Sequence, residues 1–271
     1  MNSELIAALP MYDYPELATA HDALWSALAE RLTAAGVSGA PPKLTRELSH
    51  FATWRHPHLL LGQGCEYPLV KSFAERVRLV ATPRYTAPGC DGPRYRSAIV
   101  VRAEDPAETL GDLRQRRCVV NEPDSNSGMN LLRAAIAPIA HGARFFESVS
   151  LSGSHRRSVE MVIGGQADVA AVDCISLAHI QRLRLSVAAD LRILCWTPAS
   201  RSPPLITGSA TDEATLHALR SALASVIADP ALALVRESLF LHGLDFEPEG
   251  RLADVLNHER QATEFGYPVL L

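Results

Sequence analysis

Small polar residues separate a predicted strand from a predicted helix near the middle of the chain. They are Ser125, Asn126, Ser127 and Gly128, and they follow the apolar strand predicted at 118–121. A helix N-terminus presents unpaired amide N–H groups and partial positive charge, and small residues let an anion approach those groups closely. The pattern therefore predicts a turn that binds a small anion. Ordinary helix capping by the serines is the alternative.

A second turn of small residues precedes the helix predicted at 154–164. It reads Ser152-Gly153-Ser154-His155, and it would aim another helix N-terminus at the same ligand. The imidazole of His155 is a candidate donor to an anion oxygen, and a solvent-facing histidine is the alternative. We therefore expect Ser154 and His155 to join the first turn in one anion site.

Asp173 ends the apolar strand predicted at 168–173. A carboxylate there would repel a bare anion, so a ligand role requires an ammonium group or a protonated acid oxygen on the ligand beside it. The alternative is that Asp173 caps the helix predicted at 176–183. Both interpretations are consistent with the sequence.

Five more side chains follow predicted strands or stand at predicted crossovers, where open α/β sheets hold their ligands. They are Tyr12, Gln63, Tyr67, Tyr95 and Trp196. Each is a candidate for the wall of the site, and Trp196 is a candidate stacking residue. For each of them, a place in the core or in a hydrogen-bonded turn is the alternative.

Predicted strands and helices alternate along most of the chain, which indicates an α/β fold with largely parallel sheets flanked by helices. Turn-forming residues interrupt the alternation at 83–93 and at 197–204. A central lobe bounded by two such breaks is typical of a two-lobed clamp joined by two crossover strands. We therefore predict one lobe from 96–197 and a discontinuous lobe from 1–95 plus 198–271.

The composition is that of a globular chain. With 271 residues, of which 47% are hydrophobic and 21% charged, the chain is long enough for one large core or two modest cores. A net charge of −4 and short basic runs argue against nucleic acid as a partner. No stretch approaches the ~20 apolar residues of a membrane span, and the N-terminus lacks the pattern of a secretory signal.

The chain has five cysteines, Cys65, Cys90, Cys118, Cys174 and Cys195. They lack the spacing of metal ligands, so buried thiols are the expected state, and no metal or cofactor is predicted. Cys65 and Cys90 each stand beside a glycine in a loop-like segment. These two are candidates for a disulfide if the compartment is oxidising.

Several of these motifs resemble those of the phosphate- and phosphonate-binding proteins of ABC importers. The resemblance is densest from 95 to 207 and is carried by Tyr95-Arg96-Ser97, 121–128, 152–155, 164–173 and 194–197. It implies the type II periplasmic-binding-protein fold, in which two α/β lobes close on the ligand.

The resemblance also implies roles for single residues, by motif position. In the family, serine hydroxyls and amides at a helix start hold the phosphonate group, which corresponds here to 125–128. The family's binding histidine corresponds to His155, and its acidic residue for a ligand amine corresponds to Asp173. Its tyrosines in the wall of the site correspond to Tyr12 and Tyr95.

The functional prediction is a solute-binding protein that closes around a small phosphonate- or phosphate-type oxyanion as the substrate-binding component of an ABC importer, with an ABC permease as partner. Its location would be periplasmic if an export leader has been removed and cytoplasmic otherwise. The alternatives are a cytosolic ligand-sensing module and an enzyme on the same fold that acts on a small phosphorylated compound. No nucleophile–base pair is evident, so a binding protein is preferred over an enzyme.

Overall fold

The chain passes between two α/β units three times: after Thr86, after Ser200 and between residues 246 and 255. The computed structural model describes residues 4–246 and 255–270. Of these, unit 1 contains 4–86 and 201–246, and unit 2 contains 87–200 and 255–270. The predicted class, an α/β protein of two lobes, is confirmed.

Strands and helices alternate within both units. The strands are β1 (Ile6–Ala8), β2 (Leu59–Gln63), β3 (Val77–Tyr85), β4 (Arg94–Tyr95), β5 (Ser97–Arg102), β6 (Arg117–Val120), β7 (Ser148–Leu151), β8 (Val169–Asp173), β9 (Leu191–Trp196), β10 (Ser200–Arg201), β11 (Leu205–Gly208) and β12 (Leu241–Asp245). The helices are α1 (Ala18–Ala34), α2 (His50–Arg55), α3 (Glu66–Pro68), α4 (Leu131–Ala140), α5 (His155–Ile163), α6 (Cys174–Leu183), α7 (Leu185–Asp190), α8 (Glu213–Ala228), α9 (Ala233–Ser238) and α10 (Val255–Glu264). A wider π-type turn follows α3 at Leu69–Phe73, and another precedes α4 at Asn126–Asn130.

Unit 1 contains a five-stranded sheet in the order β1-β2-β11-β3-β12. β1 and β2 are parallel, whereas β11 is antiparallel to both β2 and β3, and β12 is antiparallel to β3. Three strands therefore run one way and two run the other. Trp25 and Leu28 of α1 pack on one face of this sheet with Leu219 of α8, and Trp54 and Phe73 cover the other face.

Unit 2 contains a second five-stranded sheet in the order β7-β6-β8-β5-β9. β6 is parallel to β7 and β8, and β5 is antiparallel to β8 and β9. Four strands thus run one way, and only β5 is reversed. The largely parallel sheets that we predicted are in fact mixed sheets. The first strand longer than two residues after each of the first two passages between the units, β5 or β11, runs antiparallel to its neighbours.

The three central strands of the unit 2 sheet, β6, β8 and β5, are buried on both faces. Side chains of a strand point alternately to its two faces, so Ile99 and Val101 of β5 face α4, while Ala98 and Val100 face α5 and α6. This arrangement explains why these three central strands are almost continuously apolar. It also holds the starts of α4, α5 and α6 on a rigid support.

The division between the units differs from the predicted one at the C-terminus. The prediction assigned everything after the second break to the first lobe, but residues 255–270 belong to unit 2. α10 packs on α4, and Arg133 of α4 donates to the carbonyl oxygen of Pro268 at 2.7 Å. The segment adds three apolar side chains to the core of unit 2: Ala262, Tyr267 and Leu270.

The sequence patterns missed or shortened several elements of unit 1. β3 runs on through Pro83 to Tyr85, although the predicted break begins at Pro83. α2, β11 and β12 were not predicted, because they are short and stand beside turn-forming residues. Within the described chain, no single helix combines the length and apolar character needed to cross a membrane, although the bent pair Glu213–Ala228 and Pro230–Ser238 meets both criteria when taken together.

Candidate functional site

Ser125 starts the helical segment that we predicted to bind an anion. Its Oγ accepts a hydrogen bond from the amide of Gly128 at 3.0 Å, and its carbonyl oxygen accepts one from the amide of Asn130 at 3.0 Å. The first turn is therefore wider than an α-helical turn, and α4 follows it directly. Ser125, Asn126 and Ser127 are all buried. The side chain of Ser125 therefore caps the helix, which was the alternative to anion binding.

The side chains of Ser127 and His155 bring the two predicted turns together within unit 2. Ser127 Oγ lies 2.7 Å from His155 Nε2 and 3.4 Å from Ser125 Oγ. Ser154 is exposed, and its Oγ caps α5 by accepting the amide of Arg157 at 3.2 Å. Sequence analysis expected His155 to join the first turn, but it did not predict the direct Ser127–His155 hydrogen bond, because nothing local connects side chains 28 positions apart.

His155 carries no charge near neutral pH. Burial lowers the pKa of its imidazole to about 4. Its Nδ1 atom is buried and has no hydrogen-bond partner among the residues that the structure describes. In a catalytic serine–histidine pair, a third group forms a hydrogen bond with the second imidazole nitrogen and thereby orients the ring. The Ser127–His155 pair lacks this contact within the described chain.

Gly128 allows a close approach that no other residue would permit. A Cβ atom at this position would lie 1.8 Å from Asn121 Oδ1 and 3.0 Å from Asn121 Cγ. Asn121 Oδ1 is itself buried, with no hydrogen-bond partner in the described part of the chain. A larger residue at this position would therefore displace the Asn121 side chain from its packing between the strand end and the helix start.

Asn126 connects the turn to other parts of unit 2. Its Nδ2 donates to Tyr95 Oη at 3.1 Å and to Ser200 Oγ at 2.9 Å, and its Oδ1 accepts from Asn130 Nδ2 at 2.9 Å. Tyr95, which we had placed at the end of the first lobe, belongs to unit 2. Asn126 thus fixes the turn in position through a buried polar network.

Asp173 caps α6, as the alternative interpretation had it. Its Oδ1 accepts from the amides of Ile175 at 2.8 Å and Ser176 at 2.9 Å, and the residue is only 2% exposed. The cap begins the helix at Cys174, two residues earlier than predicted. The carboxylate is held rigidly at the end of β8.

Trp196 lies at the end of β9 and is 37% exposed. Its ring contacts the segment that follows the first passage between the units: a Cβ atom on Gly89 would lie 2.6 Å from Trp196 Cζ3 and 3.0 Å from the Cβ of Cys174. Gly89 also has a φ of +99°, which favours glycine. The tryptophan therefore packs against 87–95 in unit 2.

The candidates in unit 1 are buried. Tyr12 makes an edge-to-face contact with Tyr85, with ring centroids 5.4 Å apart, and Gln63 Nε2 donates to Tyr85 Oη at 2.9 Å and to the carbonyl oxygen of Pro203 at 3.1 Å. These three side chains line a cavity of about 50 Å³ whose other walls are mainly apolar. Tyr67 is 3% exposed.

Unit 1 also contains an ion pair that sequence analysis did not predict. Arg201 Nε is 3.4 Å from Glu66 Oε1, and the side chain of Glu66 is 1% exposed. Sequence analysis did not name Tyr85 as a candidate, because the predicted strand ended at Ala81.

Among the residues that the structure describes, no group of three or more His, Cys, Asp or Glu side chains is arranged to hold a metal ion.

The whole fold of the chain is that of known solute-binding proteins. PhnD1 from Prochlorococcus marinus, solved in complex with methylphosphonate, is 14% identical with a TM-score of 0.75, over 96% of this chain and 98% of that one. A binding-protein component of an ABC phosphonate transporter from Pseudomonas aeruginosa is 14% identical with a TM-score of 0.73, over 98% and 87% of the two chains. A Xanthomonas citri protein bound to ATP is 14% identical with a TM-score of 0.69, over 97% and 96%.

Because the sequence identity is only 14%, these structural similarities establish the fold and nothing further. No curated protein matches the chain. The sequence model of one family, described as ABC transporter, phosphonate, periplasmic substrate-binding protein, matches residues 6–245. The chain therefore belongs to the phosphonate-type periplasmic substrate-binding proteins and is a solute-binding component of an ABC importer.

Proposed function

We propose that the 125–128 turn and His155 bind the phosphonate or phosphate group of a small ligand. The observation that carries the proposal is the 2.7 Å contact between Ser127 Oγ and His155 Nε2, which joins two helix starts in one hydrogen-bonding group. Hydroxyl groups, helix-start amides and an uncharged imidazole are groups that accept an anion without a bound cation. Each charge-assisted hydrogen bond to such an anion contributes about 1.5–3 kcal/mol.

We further propose that the ligand is bound without chemical conversion. Ser127 has a histidine neighbour, as a nucleophile would, but His155 Nδ1 has no orienting partner in the described chain. A histidine in that position serves to bind an oxyanion rather than to accept a proton from serine. Turnover of a phosphorylated ligand would contradict this part of the proposal.

The rest of the predicted site remains a prediction. Asp173 is rigidly held at the start of α6, so it is the candidate contact for a cationic or hydroxyl group on the ligand. Ser154, Tyr95 and Trp196 in unit 2 are further candidate contacts. In unit 1, the candidates are Tyr12, Gln63 and Tyr67.

The proposed setting is the periplasm, where the protein would deliver its ligand to an ABC permease. This follows from the family, whose members are periplasmic substrate-binding proteins of ABC transporters. Co-purification of the chain with a permease that is encoded beside it would support the assignment. Retention of the full-length product in the cytoplasm would argue for a sensing module instead.

The decisive experiment is calorimetric titration of the purified protein with four ligands: methylphosphonate, a phosphate monoester, inorganic phosphate and sulfate. We expect saturable binding of at least one of the first three ligands and weak or no binding of sulfate. Recovery of the ligand unchanged, followed by phosphorus NMR, would agree with binding alone. Absence of binding for all four ligands would overturn the proposed function.

A further inference from the structure

Two cysteines that are distant in sequence meet in unit 2. Cys90 Sγ lies 3.4 Å from Cys174 Sγ, although 84 positions separate the two residues. Cys90 is half-buried and Cys174 is 2% exposed. All five cysteines are thiols in the structure. The sequence suggested Cys65 as a candidate partner of Cys90, whereas the thiol in contact with Cys90 in the structure is that of Cys174.

The backbone on both sides of this thiol pair is fixed. The amide of Cys90 donates to the carbonyl oxygen of Ala87 at 3.0 Å, and the amide of Cys174 donates to that of Arg96 at 3.2 Å. Gly89 is packed against the Cβ atom of Cys174 and the ring of Trp196. A disulfide has an S–S distance of about 2.05 Å, so the sulfur atoms need to approach by only about 1.4 Å, mainly through side-chain rotation.

We propose that Cys90 and Cys174 form a reversible dithiol–disulfide site. The oxidant would be an external disulfide, either of a small thiol such as glutathione or of a thiol–disulfide oxidoreductase. The Cys90 thiolate attacks one sulfur of that disulfide, forms a mixed disulfide and releases the first thiol. Cys174 then loses its proton to solvent, and its thiolate attacks Cys90 Sγ, forming the Cys90–Cys174 bond and releasing the second thiol.

The balance of this reaction is a two-electron oxidation. The two protein thiols together lose two electrons and two protons, and the external disulfide is reduced to two thiols. Cys90 is the first to react because it is the more accessible of the two. The hydrogen bond with Cys90, burial and the nearby carboxylate of Asp173 all raise the pKa of Cys174, so the second step is slow near neutral pH and faster in alkali.

The bond would join two segments that carry predicted ligand contacts. Cys90 belongs to the segment 87–95, which ends at Tyr95, and Cys174 directly follows Asp173. Oxidation would therefore tie the segment after the first passage between the units to the start of α6. Formation of the disulfide does not depend on the proposed function, whereas any effect of oxidation on ligand affinity does.

The test begins with treatment of the folded protein with dithiothreitol or with oxidised glutathione, followed by thiol counting by alkylation in denaturant and by intact mass, because Cys118 and Cys174 are buried in the folded protein. We expect five reactive thiols after reduction and three after oxidation, since the chain has five cysteines. Peptide mapping of the oxidised protein should find Cys90 linked to Cys174. The melting temperature should rise by several degrees on oxidation, because the bond closes a long loop.

Matched variants separate this pair from the other cysteines. Cys90→Ser should retain four thiols under both treatments. Cys174→Ser should stop at the mixed disulfide, with glutathione bound to Cys90 and three free thiols after oxidation, whereas Cys195→Ser should fall from four thiols to two. Five thiols in oxidised, folded wild-type protein, or a disulfide mapped to Cys65 and Cys90, would overturn the proposal. The mapping uses wild-type protein and no ligand, so it remains decisive if a variant fails to fold or if no phosphonate binds.

Discussion

Ser127 Oγ and His155 Nε2 lie 2.7 Å apart and join the start of the α4 segment to the start of α5. The two residues come from different strand–helix junctions of the unit 2 sheet, at the ends of β6 and β7, and these strands are parallel neighbours. Parallel strands bring the helix starts that follow them to one edge of the sheet. The hydrogen bond is therefore a direct consequence of strand order.

Replacing Ser127 with alanine removes a hydroxyl from the proposed anion site. We expect Ser127→Ala to weaken methylphosphonate binding about 10- to 100-fold, because one charge-assisted hydrogen bond is lost. Isothermal titration calorimetry measures the change. Ser148→Ala, at an exposed position of β7, is the matched control and should bind like wild type. Equal affinity of both variants would remove Ser127 from the site.

Replacing Gly128 with alanine introduces a methyl group where Asn121 Oδ1 already lies. We expect Gly128→Ala to lower the free energy of unfolding by about 2–3 kcal/mol, as overpacking does. The double variant Asn121→Ala/Gly128→Ala should recover part of the loss, because the two closest contacts of the new Cβ atom are with the Asn121 side chain. Urea denaturation of the four proteins gives the coupling energy, and additive losses would contradict this explanation.

His155 should make stability depend on pH. Its pKa is lowered from 6.5 to about 4 in the folded protein, so the unfolded chain binds more protons between these values. The stabilisation is complete above pH 6.5 and is lost as the pH falls to about 4, by at most about 3 kcal/mol. Urea denaturation at pH 7.5, 5.5 and 4.5 should show a smaller loss for His155→Gln than for wild type. Parallel curves for the two proteins would rule out this contribution.

Asp173 combines a structural role with a proposed ligand role, and two substitutions separate them. Asp173→Ala should cost about 1 kcal/mol of stability because the cap of α6 is lost. Asp173→Asn keeps an oxygen for the Ile175 and Ser176 amides, so its stability should stay close to that of wild type.

The Asp173→Asn variant then tests the ligand role. A charge contact with an amine predicts about tenfold weaker binding of an aminoalkylphosphonate and unchanged binding of methylphosphonate. Calorimetry with both ligands makes the comparison. If both ligands bind to the variant as they do to wild type, Asp173 is a helix cap alone.

The elements around 125–128 and 154–155 were predictable from local patterns. The predicted bounds of β6, β7, β8 and β9 differ from the observed ones by at most one residue. β6 and β8 are apolar runs that are buried on both faces, so packing and local pattern favour the same structure there. Because packing and local sequence pattern favour the same strands, the places where the helices of unit 2 start could be predicted from the sequence.

Other features depend on contacts between residues far apart in sequence. Asn126 looked like a ligand residue, but its amide group is bonded to Tyr95 and Ser200. The neighbour of Cys90 is 84 positions away. Pro83 indicated a break, yet β3 continues through it because β11 pairs with β3 only as far as Ala81. Within the described chain, β12 is thus the one partner strand at Pro83, and one side of β3 needs no N–H donor there. Local periodicity contains no information on such pairings.

The docking of α10 on α4 decides how the protein can be divided for laboratory work. A recombinant fragment that stops before Val255 would leave the apolar surface of α4 open to water and prone to aggregation. An isolated unit 2 has to be expressed as 87–200 fused through a linker to the C-terminal segment, and nothing shorter completes its interior. Affinity tags are therefore better placed at the N-terminus than directly after Leu270, which is part of that interior.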